Sequence, residues 1–197
     1  MTYMPSAALI AYLASLGQGG QVYPMSTRYG YITASAPPEN ALGAGQFAGF
    51  RVSVAVPSGK AITNVGTFIT TAGTLGTTGL NAFSVWSDDG TTMLGSTAST
   101  DSQWASTGVL TKPLQTPIAA FSTQTFVWVL ANTGGYSVNP YFACTIAAGN
   151  DSNHGLLNPA SGQMRTAYFN SMASWPASFN PNTQGTLTNY LPWVFLS

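Results

Sequence analysis

Apolar and polar residues alternate in short runs through the middle of the chain, as expected of strands that bury one face. In residues 50–56 every second position is Phe or Val, and residues 57–59, Pro-Ser-Gly, end the run. Residues 65–71 and 81–87 repeat the pattern, and residues 88–90, Asp-Asp-Gly, suit a hairpin turn. The sequence therefore predicts a mainly β fold, an antiparallel β-sandwich or jelly-roll-like domain.

Two further runs predict where strands lie within the sheets. Residues 126–131 are apolar on both faces, so this strand is expected to be central. Residues 190–196 also have strand character, but Pro192 has no amide hydrogen and favours an edge position. The remainder of residues 150–197 is rich in Asn, Ser and Pro and is predicted to be mostly loop.

The amino-terminal region is predicted to contain a short helix over residues 6–16, capped by Ser6 and ended by Gly17. This helix either packs on its own domain or docks into another subunit as an anchor, because flexible residues 17–20 follow it. We divide the chain into a helix and attachment arm, residues 1–46, and a β-sandwich domain with a loop-rich carboxyl-terminal part, residues 47–197. The apolar run lacks a positive flank and is too short to span a bilayer, so we expect no signal peptide and no membrane insertion.

Charge is scarce: 5% of the residues are charged, and five Lys and Arg balance five Asp and Glu. The cations are scattered along the chain, so neither nucleic-acid binding nor attraction to an anionic membrane is predicted. A neutral surface promotes association more readily than a charged one. We therefore expect a homo-oligomer, either a trimer or a symmetric array.

Residues for catalysis or metal binding are few. His154 and Cys144 are the single histidine and cysteine of the chain, too few for a zinc site, and His154 lies in a turn-like polar loop. Asp88 and Asp89 are better explained as turn residues than as catalytic acids. A calcium ion held by Asp88, Asp89 or Asp101 with backbone carbonyls is the alternative, but the usual calcium-loop pattern is absent. We expect no catalytic residue, no metal, no cofactor and no enzymatic activity.

Aromatic residues beside amides in the carboxyl-terminal part are the candidate ligand contacts, since rings can cover the apolar faces of sugars. We select Trp175, Phe179 and Tyr190 as candidates for binding a neutral glycan of the host surface. Trp175 is the first choice because Ser174-Trp175-Pro176 lies in an irregular segment. The competing interpretation is that such rings are buried and plug the edge of the sandwich.

Residues 81–109 read NAFSVWSDDGTTMLGSTASTDSQWASTGV. The aromatic strand, the Asp89-Gly90 turn, Met93-Leu94-Gly95 and Trp104 before Gly108 resemble the β-sandwich domains of tail and head appendage proteins in phages of actinobacteria. The resemblance covers roughly residues 47–148. It implies a non-enzymatic virion protein that assembles as an oligomer in the bacterial cytoplasm, with other virion proteins as partners.

Three functions follow as hypotheses. The leading one is a minor tail or receptor-binding protein, which should bind host envelope glycans. The second is a capsid decoration or head-fibre protein, which should bind the capsid lattice. The third is a component of a cell-wall hydrolase, which should release soluble wall fragments. One sandwich fold serves many roles, so the fold does not separate the first two.

Overall fold

The structure is a computed structural model that describes residues 23–24, 39–41, 49–146, 166–170, 172–181, 186–187 and 190–197. In these residues the regular structure is entirely β, and no helix there is long and apolar enough to cross a membrane. The prediction of a mainly β fold is therefore confirmed. The predicted helix over residues 6–16, the Gly-rich residues 17–20 and His154 lie outside the described residues.

The described strands, in chain order, are β1 (Tyr23–Pro24), β2 (Glu39–Ala41), β3 (Gly49–Val56), β4 (Ile62–Thr71), β5 (Thr74–Leu75), β6 (Asn81–Ser87), β7 (Met93–Ser96), β8 (Gly108–Ile118), β9 (Thr125–Thr133), β10 (Tyr136–Val138), β11 (Tyr141–Ile146), β12 (Thr166–Phe169), β13 (Thr186–Leu187), β14 (Tyr190–Pro192) and β15 (Val194–Leu196).

The strands form two large sheets and one small ribbon. The six-stranded sheet has the order β13-β12-β3-β9-β6-β7. The seven-stranded sheet follows β1-β15-β4-β11-β14, with β8 also paired to β4 and β2 to β11. Strands β5 and β10 form the two-stranded ribbon. The described pairings are antiparallel, and β1 and β2 bring part of the predicted attachment arm into the seven-stranded sheet.

One apolar core joins the inner faces of the two large sheets, an arrangement consistent with a β-sandwich. The alternating residues of β3 enter this core with no exposed surface, as their spacing predicts. They meet Val65 and Ile69 of β4 and Val194 and Leu196 of β15 from the other sheet. Burial of this shared face is the main force that holds the sheets together.

Trp104 plugs one part of this core from the loop between β7 and β8. Its ring is fully buried and packs edge-on against Phe83 of β6 at 5.0 Å and Phe142 of β11 at 5.4 Å. The indole nitrogen donates to the carbonyl of Asn132 at 3.1 Å, so the polar edge of the ring is satisfied as well. Trp104 thus contacts both sheets, since β6 and β11 belong to different ones.

The predictions for individual strands are confirmed with one refinement. Strand β9 lies between β3 and β6, and its residues 127–131 are buried on both faces, so it is central. The predicted strand over residues 190–196 divides at Trp193 into two strands with different partners. Strand β14, which contains Pro192, ends the path of its sheet, but β15 lies between β1 and β4 and is fully buried.

Candidate functional site

A second apolar cluster lies on the outer face of the six-stranded sheet. Trp86 of β6 and Trp128 and Leu130 of β9 point outward from the sandwich core, yet all three are buried. They are buried because residues 172–181, here called the covering segment, supply Phe179 and Trp175 to the same cluster. The outer face of this sheet is therefore a second core.

The three predicted ligand contacts differ in their surroundings. Phe179 is 5% exposed and packs edge-on against Trp86 at 5.4 Å and Trp128 at 6.2 Å, so its ring is part of the core. This burial leaves little ring surface for a sugar, because the neighbouring indoles already occupy it. Trp175 is half-buried against the same cluster, and Tyr190 lies on β14 opposite Ile146. Ligand contact by Trp175 and Tyr190 stays a prediction.

The turn at residues 88–90 holds the covering segment in place. Gly90 has φ of +71°, and its carbonyl accepts from the Phe179 amide at 2.9 Å. A Cβ atom at Gly90 would lie 2.3 Å from the Phe179 carbonyl oxygen, so glycine is required there both for φ and for the close approach. Trp128 donates its indole hydrogen to the Asp88 carbonyl at 2.7 Å. The turn interpretation of Asp88-Asp89-Gly90 is thus confirmed, and the turn also contacts the second core.

Arg51 extends from β3 into this second core. Its side chain is 2% exposed, and its guanidinium donates to the carbonyls of Asn180 at 3.3 Å and Pro181 at 2.6 Å. The guanidinium also lies 5.4 Å from the centre of the Trp128 ring and 5.3 Å from that of Phe179. Burial lowers the pKa of Arg51 to about 10, so the group stays charged at neutral pH. It binds the end of the covering segment to the sheet.

Asn132 of β9 binds the start of the covering segment. Its amide nitrogen donates to the carbonyls of Leu80 at 2.6 Å and Met172 at 3.1 Å, and its amide oxygen accepts from the Met172 nitrogen at 2.9 Å. The side chain is fully buried. One amide therefore joins three chain segments that are distant in sequence, which fixes the position of the covering segment on the sheet.

Beside this contact lies an open cleft of about 550 Å³, bounded by residues 77–80, 134–135 and 172–173. It lies where the loop after β5, the turn between β9 and β10, and the start of the covering segment meet. Its lining combines threonine hydroxyls and glycine main chain with the apolar side chains of Leu80, Met172 and Ala173. None of the lining residues carries a charge.

The cleft walls are held by a second buried amide. Asn81 is fully buried, and its amide nitrogen lies within 3.0 Å of the Gly134 carbonyl and 3.3 Å of both the Gly79 carbonyl and the Asp101 carboxylate. The Gly134 amide donates to the Leu80 carbonyl at 3.0 Å. The two loops that form the cleft are therefore joined directly and through Asn81.

Asp89 and Asp101 accept hydrogen bonds that hold local structure, whereas Asp88 has a buried carboxylate oxygen without a hydrogen-bond partner. Asp89 accepts from the Ser87 hydroxyl at 2.6 Å and from the Thr91 amide and hydroxyl, and these hydrogen bonds lower its pKa. Burial, followed by the charge of Asp89, raises the pKa of Asp88. Asp101 lies at the other end of β6, roughly 20 Å away for a strand of seven residues. One ion therefore cannot contact both Asp101 and the Asp88-Asp89 pair, and the expected absence of a metal stays a prediction.

Within the described part of the chain, no three His, Cys, Asp or Glu residues are grouped so that they could hold a metal. Cys144 lies on β11, where its backbone pairs with Pro192 of β14. The absence of a catalytic centre stays a prediction for the whole chain.

Sequence reasoning missed Arg51, Asn81, Asn132 and the cleft. Arg51 stands at a polar position of the alternating run 50–56, where the pattern predicts a side chain that faces solvent. Asn132 follows a strand that is apolar on both faces, and a polar residue there signals a buried group that needs partners. The partners themselves come from residues 80 and 172–181, which no periodicity connects to these positions.

Comparison with known proteins gives no match to this chain from any protein family, curated protein or solved structure.

Proposed function

We propose that the chain is a non-enzymatic virion protein, a minor tail or receptor-binding protein that acts as an oligomer. The observation that carries the proposal is an uncharged cleft, preformed by two buried asparagines, at one end of a β-sandwich with few charges. Such a site suits recognition of an uncharged surface ligand, because hydroxyls, main-chain groups and apolar side chains provide its contacts.

Residues 81–109, which carry the resemblance to phage appendage domains, lie at the centre of the fold. These residues include β6, the turn at residues 88–90, β7 and the Trp104 plug, all of which form or border the two cores. The resemblance therefore rests on residues that build the sandwich. The proposed virion location rests on this sequence resemblance alone, and we propose a jelly-roll-like connectivity for the sandwich on the same basis.

The structural roles of Asp89 and Asp101 support a binding function over hydrolysis. Asp89 holds a turn, and Asp101 accepts from the Gly79 amide at 3.4 Å and from Asn81. Glycoside hydrolysis needs two carboxyl groups that face one bond across a cleft. Asp88 and Asp101 lie at opposite ends of β6, which does not suit that chemistry.

The proposal is tested by a pull-down of isolated tails and of empty capsids with the full-length chain. We expect retention of tails, and an unrelated β-sandwich of similar size as bait provides the control. Mass spectrometry of purified virions should detect the chain in the same particles. Retention of capsids alone would assign the chain to the capsid surface, and absence from virions would overturn the virion proposal.

A further inference from the structure

We propose that the cleft between residues 77–80, 134–135 and 172–173 binds a neutral saccharide. This inference rests on the proposed receptor-binding function and names its site and class of ligand. It places the binding site on residues other than the aromatic rings that the sequence suggests.

The size and lining of the cleft define the ligand. A volume of about 550 Å³ falls in the range of about 300–1,000 Å³ that is usual for small-molecule sites. Thr77 and Thr78 are exposed and offer hydroxyls, while Leu80 and Met172 are half-buried and offer apolar surface. This combination matches a sugar, which carries hydroxyls around its rim and C–H groups on its faces.

Charge selects against anionic ligands. No lining residue carries a charge, so a carboxylate or phosphate group would lose hydration without gaining a counter-charge. The one carboxylate behind the wall, Asp101, accepts hydrogen bonds from Gly79 and Asn81. Its negative charge further disfavours an anion in the cleft, so an uncharged ligand is preferred over an anionic one.

The walls of the cleft are fixed before a ligand arrives. Asn81 joins the loop at residue 79 to the turn at residue 134, and Asn132 joins residue 80 to residue 172. The Gly135 carbonyl also accepts from the amides of Gly76 at 2.9 Å and Thr77 at 2.8 Å. A preformed site loses less conformational entropy on binding, which helps a small ligand with few contacts.

The test is a titration of the full-length, nitrogen-15-labelled chain with glucose, galactose and N-acetylglucosamine, followed by amide chemical shifts. We expect millimolar binding of at least one sugar, with shifts concentrated at residues 77–80, 134–135 and 172–173. Glucuronic acid differs from glucose by a carboxylate and should bind at least several-fold more weakly.

Two pairs of variants on exposed residues separate the cleft from other surfaces. Ala173→Trp should fill the cleft and abolish binding, whereas Ala177→Trp makes the same change on the same segment outside the cleft and should leave binding intact. Thr78→Ala removes one lining hydroxyl and should weaken binding several-fold, whereas Thr123→Ala should not. The second pair keeps the test valid if Ala173→Trp does not fold.

The outcomes are distinct. No sugar-dependent shift at the cleft residues, or unchanged binding by both Ala173→Trp and Thr78→Ala, overturns the proposed site. Shifts confined to the Trp175 indole would move binding to that ring and overturn the cleft assignment, while the receptor-binding proposal would stand. The virion proposal is judged separately by the presence of the chain in purified particles.

Discussion

Phe179 and Trp175 lie on the same covering segment but differ in burial, which makes them a matched pair for testing structural against binding roles. Phe179→Ala should lower the free energy of unfolding by about 3–5 kcal/mol, because its ring fills the space between Trp86 and Trp128. Trp175→Ala should cost clearly less, since that ring is only half-buried. Urea unfolding measures both, and equal losses would contradict the distinction.

If the chain is the proposed receptor-binding protein of a phage, Trp175→Ala has a second readout in the adsorption of that phage to host cells. A ring that contacts the receptor should reduce adsorption when removed, with little change in melting temperature. A ring that serves the second core should lower the melting temperature and leave adsorption normal once the protein is folded. Normal adsorption with a stable variant would exclude Trp175 as a receptor contact.

Arg51 tests whether a buried charge or its packing stabilises the second core. Arg51→Ala should cost about 2–5 kcal/mol, because it leaves a cavity beneath Phe179 and removes the donors for the Asn180 and Pro181 carbonyls. Arg51→Met keeps the packing and removes a desolvated charge, so it should cost less, within about 1–2 kcal/mol of the parent. Equal destabilisation by both variants in chemical unfolding would show that the hydrogen bonds dominate.

Asp88 and Asp89 should titrate in opposite directions from the ordinary aspartate pKa. Carboxyl carbon NMR should place Asp89 below it, because of the hydrogen bonds from Ser87 and Thr91, and Asp88 above it, because of burial and the neighbouring charge. Thr91→Ala should raise the pKa of Asp89, whereas Thr123→Ala should not. A lower pKa for Asp88 than for Asp89 would contradict the turn geometry.

The pKa shifts of Asp88 and Asp89 change the pH dependence of stability in opposite directions. Asp89 has a lowered folded-state pKa, so its contribution is present above its unfolded pKa and is lost as pH falls through the folded value. Asp88 has a raised folded-state pKa, so its contribution is present below its unfolded pKa and is lost as pH rises through the folded value. As the pH falls, Asp89 loses its stabilising contribution while Asp88 gains one, so their effects on the free energy of unfolding oppose each other.

The local pattern of apolar and polar residues predicted the strands, but it did not predict that the covering segment packs on them. Strands β3 and β9 follow from alternation and from an apolar run, since both depend on residues adjacent in sequence. The break at Trp193 was missed, because it arises when residues 190–192 pair with β11 and residues 194–196 pair with β4. Periodicity contains no information on such a change of partner.

The candidate site was predicted less well than the strands, because it depends on contacts between residues that are distant in sequence. Trp175 and Phe179 were recognised as important aromatics, but the outer face that buries Phe179 lies on strands about 50 to 100 positions earlier in the chain. The cleft depends on Asn81 and Asn132, whose partners are mostly main-chain carbonyls. Every residue has a main-chain carbonyl, so the amino-acid sequence does not reveal which residues are these partners.

The predicted attachment arm, residues 1–46, can be tested by deleting its first residues. Deletion of residues 1–20 should leave folding intact, because the two described cores use residues from 50 onward and the cut preserves β1, which pairs with β15. The same deletion should abolish incorporation into particles if the predicted helix over residues 6–16 is an anchor. Circular dichroism and particle assembly measure the two effects.

The outcomes of this deletion separate the two interpretations of the helix. An unfolded truncated chain would show that the helix belongs to the core, and normal incorporation would show that it is no anchor. Extending the deletion to residue 24 serves as the comparison, because it removes β1 and its pairing with Leu196 and Phe195 and should lower stability.

The low charge of the chain and its exposed apolar residues both favour association between copies. The formal net charge is zero, and Leu75 and Val138 on the β5–β10 ribbon are 37% and 53% exposed. Long-range repulsion that would keep copies apart is therefore weak. Association driven by neutral surfaces should also be insensitive to salt, unlike association through ion pairs.

The last prediction is that the chain self-associates, as a trimer or a symmetric array, and that added charge reverses this. Light scattering should show an oligomer whose mass changes little between low and high salt. Lysines at exposed Ser58, Ser106 and Ser122 should shift the equilibrium towards monomer at low salt by repulsion, whereas asparagines at the same positions should not. Salt should restore association of the lysine variant, because screening weakens repulsion between exposed charges. A strict monomer at high concentration, alone and with virion components, would contradict the proposed oligomeric virion protein, because weak repulsion between copies would then not be sufficient for assembly.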